Sequence, residues 1–239
     1  MTSQQIIQKS QKELQEMVDL ARRGTPQDFS YQDMRHVSFM RSGSYPAMKG
    51  SNFSYANLSK VDLDRFNLTK CNFTAADLSG ADLQDGFVCN ANFTDANLSG
   101  ARLELSNLEG ANFTNANLSN VKFANARFYP SCVWNGADLS GAYYGYTLHH
   151  QTGEKDEKIM MTRPPLKVAL EDKRGRDLYV VTFFDRFIRI GCQVRSYKEW
   201  LELTHDEIKG LDGSDALEMN RLHRETIIQL AEQHGCTKD

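Results

Sequence analysis

The sequence predicts a mainly β chain built around a four-sided parallel β-helix. Three observations carry the prediction: a segment that returns every twenty residues, a five-residue period inside it, and a small residue two places before each large one. "NFTAADLSGADL", from Asn72, returns as "NFTDANLSGARL" from Asn92 and "NFTNANLSNVKF" from Asn112, with a looser copy, "NFSYANLSKVDL", from Asn52.

Taking the large apolar residue as the centre of each unit, centres fall at every fifth position from Phe53 through Val133. Two positions earlier stands a small residue in most units, among them Ala56, Ala76, Ala81, Gly86, Ala96 and Ala116. Between the two is usually Asn or Asp, and a polar residue follows the centre. Neither the 3.6-residue helical period nor the two-residue strand period keeps phase with five. A short extended step followed by a corner does. Four steps close one coil, so each residue lies over the one twenty places on. Phe53, Phe73, Phe93 and Phe113 then form one inner column; Leu58, Leu78, Leu98 and Leu118 form the next. Leu63, Leu83, Leu103 and Phe123 are the third, and Leu68, Val88, Leu108 and Phe128 the fourth. Coils paired through their backbones sit about 4.8 Å apart, and each buried centre contributes about 1.5–3 kcal/mol. A second bulky inward residue per side would overfill the lumen, hence the small one.

The A(D/N)LXX pattern of these units resembles the pentapeptide-repeat proteins, over about Gln27–Tyr144, roughly half of the chain. The resemblance implies a right-handed, quadrilateral β-helix. Several roles occur on that fold, and some members inhibit or protect DNA gyrase, with elongated acidic surfaces that resemble duplex DNA.

The elements are expected in this order: 1–24 an N-terminal capping helix, 25–146 the β-helix, 147–239 a small α+β module. In the first, Ile6, Ile7, Leu14, Met17, Val18 and Leu20 approximate a helical stripe, with Gly24 as a stop. Phe29, Met34 and Phe39 continue the centres upstream of Phe53. The register then breaks at Met40–Gly50, "MRSGSYPAMKG", which reads as a loop leaving the coil wall: either a tolerated insertion or a partner-contacting loop using Arg41, Tyr45 and Lys49. After Val133 the count slips by one, placing centres at Leu139 and Tyr144, with Trp134, Tyr143 and Tyr146 crowding the last coil. In the C-terminal module Leu178–Phe184 and Phe187–Ile190 read as two strands across a tight connection. Ser196 and Thr204 read as helix caps, the second within a capping box. A last helix is expected at about Asp215–Gln233, ending at Gly235. "RIGCQVRSYKEW" is similar to the C-terminal tails of some bacterial and phage members of the same family.

Composition excludes several function classes. With 28 basic and 31 acidic residues, no global field favours direct nucleic-acid binding. No apolar run is long enough to span a membrane, and residues 1–23 lack the apolar core of a signal peptide. The five scattered cysteines form no CxxC pair. Together these point to a cytoplasmic protein, in the host cytoplasm if phage-encoded. Cys192 could act as a nucleophile if a histidine met it, and His149–His150 could bind zinc with Cys132 or a carboxylate. A buried thiol and solvated loop histidines are the simpler readings. His205 and His223 fall in the helical segments. No enzyme, metal or cofactor is expected.

What remains is the outer surface. Phe87 replaces the usual Asn or Asp before a centre, and Tyr129 the usual polar residue after one, both on the Leu68–Phe128 face. Such aromatics suggest either a binding site or cover by the C-terminal module. On another face Asp62 and Asp82 give way to Arg102 and Lys122, so the column is dipolar rather than uniformly anionic. The sequence therefore predicts a non-catalytic protein-binding module that presents loop 40–50 and an outer face to a protein partner. The alternative is a DNA mimic acting on DNA gyrase or another DNA-binding protein.

Overall fold

Each five-residue unit devotes one residue to a backbone bridge, one to the core and the others to a turn. The computed structural model describes residues 8–39, 45–129, 131–148, 155–161, 163–171, 177–185, 187–190 and 193–236. Parallel bridges join Asn52 to Asn72, Asn57 to Asp77, Asp62 to Asp82 and Asn67 to Phe87, and the same four columns repeat coil after coil. The chain therefore turns four corners per coil.

Within a unit the chemistry is explicit. The amide of Asn72 donates to the Ser51 carbonyl of the preceding coil (3.0 Å), and the Phe73 amide to the Asn92 carbonyl of the next (2.7 Å). The Phe73 carbonyl then accepts from the Ala76 amide (3.0 Å), which closes a β-turn. The third residue of each turn has positive φ, at every fifth position from Gly50 to Asn125, as a type II turn requires. The Asn or Asp before the centre fastens the corner, its Oδ1 accepting the amide two residues on: Thr74 to Asn72 at 3.1 Å, Ser79 to Asp77 at 3.0 Å. The preference for Asn and Asp at that position is thus a turn requirement.

The centres fill the lumen. Phe29, Phe53, Phe73, Phe93 and Phe113 are all fully buried and stack with centroids 4.8–5.2 Å apart and planes within 9° of parallel. Trp134 tops the column, 4.8 Å from Phe113. At the small inward position, side chains with a donor bond a carbonyl of the preceding coil: Ser106 Oγ to Leu83 (2.7 Å), Cys71 Sγ to Met48 (3.0 Å) and Cys132 Sγ to Leu108 (2.9 Å).

Three expectations about this segment need correction. The register break is shorter than Met40–Gly50: Ala47 bridges Asn67, Met48 is a fully buried centre, and the Pro46 carbonyl accepts from Asn67. Residues 46–50 are coil wall, and the extra residues lie between Phe39 and Pro46. Val133 is no centre. It bridges Asn112, half-exposed, so the six-residue step falls between Phe128 and Trp134. Phe66 is fully buried at a position expected to be small. It packs edge-on to Phe39 at 6.1 Å, with Gly86 at the equivalent position of the next coil.

α1 (Gln11–Arg22) carries Leu14, Val18 and Ala21 on its buried face and starts at a capping box on Ser10. Its glutamines satisfy the edge of the first coil. Gln15 Nε2 donates to the Ser38 carbonyl and Gln15 Oε1 accepts from the Ser38 amide, both at 3.0 Å. In later coils a preceding coil supplies those partners, so the side-chain amide stands in for a missing peptide. Gln8 and Gln11 likewise donate to the Tyr31 and His36 carbonyls.

The chain divides into two compact units, residues 1–145 and 146–239. β1 (Ala142–Leu148) follows the last coil and forms a two-stranded sheet with β2 (Lys155–Met161). β3 (Leu166–Glu171), β4 (Asp177–Phe183), β5 (Phe187–Ile190) and β6 (Gln193–Ser196) form an antiparallel sheet in chain order. α2 (Tyr197–Glu202) and α3 (His205–His234) begin at capping boxes on Ser196 and Thr204, and α3 ends at the left-handed Gly235. The second unit's core joins Val181, Phe183 and Ile188 to Tyr197, Trp200, Ile227 and Ala231. The last helix thus starts ten residues before the expected Asp215, running through Gly210 and Gly213.

Candidate interaction surface

Most of the outer lattice has its hydrogen bonds internally satisfied. On the Phe53 face, hereafter the first, Asn72 Oδ1 accepts both the Thr74 amide (3.1 Å) and the Thr74 hydroxyl (2.6 Å). Asn92 Nδ2 in turn donates to Thr74 Oγ1 (2.9 Å), and Asn112 repeats the pattern one coil on. On the third face, Arg102 pairs with Asp82 at 2.9 Å, bonds Gln84 and lies 3.7 Å from Glu104. Charge there is neutralised between neighbouring coils, and the column lacks the run of anions a phosphate mimic needs.

The fourth face differs. Phe87 occupies the outward bridging position between Asn67 and Asn107, where its ring cannot enter the lumen. Tyr45 lies edge-on against it, centroids 5.0 Å apart and planes at 65°. The Tyr45 hydroxyl donates to Asp85 Oδ2 at 3.5 Å, and Asp85 is 3.4 Å from Arg65 Nε. Leu105, one coil beyond Asp85 on the same corner, is 55% exposed with φ of 62°. A left-handed conformation costs a residue other than glycine about 1–2 kcal/mol, and Leu105 gains no burial to offset it.

The candidate residues therefore separate. Tyr45 and Phe87 are brought together. Lys49 is exposed in the column that follows the fourth-face centres, four coils before the half-buried Tyr129, and Asn107 and Glu109 lie between Phe87 and Tyr129. Arg41 lies outside the described residues, as do Cys192, His149 and His150. Sequence reading did not single out Leu105, Asp85 and Arg65, nor the exposed pair Tyr31 and Tyr55, whose rings stack at 4.6 Å and 3°. The available signal was a bulky residue at the positive-φ corner, where Gly and Asn are at ease.

Among the described residues, no group of three His, Cys, Asp or Glu could hold a metal ion, and no helix is long and apolar enough to cross a membrane. Burial pushes the Cys71 thiol up to about 12. We expect Cys71 to resist iodoacetamide at pH 8 in the native protein and to react once unfolded. Labelling of the folded protein, read by peptide mass spectrometry, would contradict its placement.

Residues 48–87 and 88–128 match the family model for pentapeptide repeats, with eight copies. Solved structures similar to the chain include a pentapeptide repeat protein from the thylakoid lumen of Arabidopsis thaliana (25% identity, 47% of this chain, 85% of that one, TM-score 0.27). Another is HetL, a pentapeptide repeat protein involved in heterocyst differentiation regulation from the cyanobacterium Nostoc (16% identity, 54% and 78% covered, TM-score 0.23). A third is QnrB1, a plasmid-mediated fluoroquinolone resistance protein (20% identity, 49% and 62% covered, TM-score 0.25). No curated protein sequence matches the chain.

Proposed function

Because residues 48–128 of this chain belong to the pentapeptide-repeat family, we propose that the coil stack is a non-catalytic protein-binding module whose partner docks on the fourth face. The observation that carries this reading is the contact between Tyr45 and Phe87, two aromatics at a fourth-face position whose neighbours in the column are Asn67 and Asn107. Aromatics of this kind, rimmed by an ion pair such as Arg65–Asp85, are the usual anchors of protein interfaces. DNA mimicry is the weaker reading, since Asp82 on the third face is paired with Arg102.

The test is site-specific photocrosslinking in extract of the source cell. A photoreactive phenylalanine analogue in place of Phe87 should give a discrete protein adduct, and the same analogue at Asn72 should give none. Phe87→Asn restores the residue the repeat prefers and lets the coil form its ordinary corner bond. It should weaken the captured interaction about thirtyfold, as loss of an interfacial hot spot does. Equal adducts from both positions, or full affinity in Phe87→Asn, would remove the fourth face as the docking site.

A further inference from the structure

The corner between the first and second faces carries Tyr31, Tyr55, Ala75, Asp95 and Asn115, one per coil, all at positive φ. Tyr31 and Tyr55 are 43% and 53% exposed, and their rings lie parallel. The next layer holds only the methyl of Ala75, and the layer after that holds Asp95, whose Oδ1 accepts from Asn115 Nδ2 at 3.1 Å. One ring's thickness is therefore missing from the column. The notch has the Tyr55 ring as one wall, Ala75 as its floor and the exposed Asp95 as the other wall, about 10 Å away at two coil rises. Asp77 stands two residues beyond Ala75 in the same coil. Asp77 Oδ1 accepts from the Ser79 amide and Asn97 Nδ2. The nearby cation on the second face, Arg35, pairs with Asp33 at 2.6 Å and also acts electrostatically on Asp77.

We propose that this notch receives the guanidinium of an arginine on a partner protein. The opening is one planar layer thick, which suits a flat group. The aromatic wall attracts a cation over its face, and the two carboxylates supply the complementary charge. A guanidinium is planar, permanently charged, stacks on aromatic rings and donates at its edges to carboxylates; a lysine ammonium shares only the charge. Other bulky residues, Lys60, Arg65, Lys70 and Leu105, also stand at left-handed corners of this chain; what sets this corner apart is the pair of stacked rings followed by the small Ala75. The site lies at the corner diagonally opposite Tyr45 and Phe87 and does not rest on the fourth-face reading.

The test is a titration of the full chain with an acetylated, amidated Gly-Arg-Gly peptide, followed by amide and Tyr ring NMR shifts. Saturable shifts of Ala75, Asp95 and the Tyr55 ring in the millimolar range are expected, with the lysine and citrulline peptides about tenfold weaker. Ala75→Tyr extends the ring stack into the notch and should abolish the shifts; Asp95→Asn should weaken them severalfold. If Ala75→Tyr does not fold, Tyr55→Asn, which removes the wall at a corner that tolerates Asn, takes its place and should abolish them equally. Three results would overturn the proposal: no saturation by tens of millimolar, citrulline binding as well as arginine, or undiminished shifts when the notch is filled or its wall removed.

Discussion

Phe93→Ala should lower the unfolding free energy of the coil stack by about 3–5 kcal/mol. The ring is fully buried, between Phe73 at 5.0 Å and Phe113 at 5.2 Å. Removing it strips one contact face from each neighbour. Relaxation cannot close the hole, because the spacing of the layers is set by backbone bonds, Phe93 to Asn112 at 2.7 Å and Asn92 to Cys71 at 2.9 Å. A cavity that cannot collapse places the loss at the upper end of the range for large-to-small substitutions. Phe29→Ala should cost less, since among the described residues Phe29 is the first ring of the column and stacks on Phe53 alone. The chain has two tryptophans, Trp134 in the first unit and Trp200 in the second. In a Trp200→Phe background, Trp134 fluorescence during urea unfolding therefore reports the coil stack. A loss below about 1 kcal/mol, small for even a partial truncation in a tight core, would mean that the rings do not form a continuous column.

The repeat is legible because every position in a unit has a separate steric or hydrogen-bonding demand. The inward centre must be large, the inward partner small, the bridging residue able to accept the amide two places on, and the corner residue able to adopt positive φ. Four constraints in five residues leave a strong period. The signal fails where backbone geometry changes without a change in composition. Val133 looks like a centre by count, and only the six-residue step to Trp134 moves it to the outer wall. Met48 looks like loop because the count from Phe39 is wrong and Pro46 and Gly50 flank it, yet its side chain is in the core. A last helix beginning at about Asp215 leaves Gly210 and Gly213 outside it, yet both lie within α3. They are tolerated within a helix that packs against the sheet through Ile227 and Ala231, because tertiary packing outweighs the roughly 1 kcal/mol that each glycine costs. β3 does show the two-residue period, Leu166, Val168 and Leu170 facing the second unit's core, but it is only six residues long; β6, four residues, is too short to show one. On the surface, Phe87 and Tyr45 were each visible as exceptions. Their meeting was not, because it depends on how the insertion before Pro46 returns to the wall.

Deleting residues 1–23 should both destabilise the coil stack and make it self-associate. Leu14 and Val18 are 3% and 0% exposed, so their loss removes about 3–6 kcal/mol of apolar burial. The same deletion strips the glutamine bonds from the first coil and leaves the Ser38 amide and carbonyl open, with the Tyr31 and His36 carbonyls beside them. A parallel edge with its donors and acceptors unpaired is a template for another chain, and a repeat stack without its terminal cover loses solubility for the same reason. Sedimentation velocity should show concentration-dependent oligomers of the truncated chain and a single species of the intact one. Adding a synthetic peptide of residues 1–24 should suppress the oligomers, since it restores both the apolar cover and the Gln15 bonds. The same peptide with Gln15→Leu should suppress them less, because it covers the apolar surface but lacks the two solvent-exposed hydrogen bonds to Ser38, each contributing about 0.5–1.5 kcal/mol net. Equal rescue by the two peptides would assign the association to apolar surface alone and remove the backbone edge from the account. A truncated chain that stays monomeric and as stable as the intact protein would show that α1 is not what closes this end of the helix.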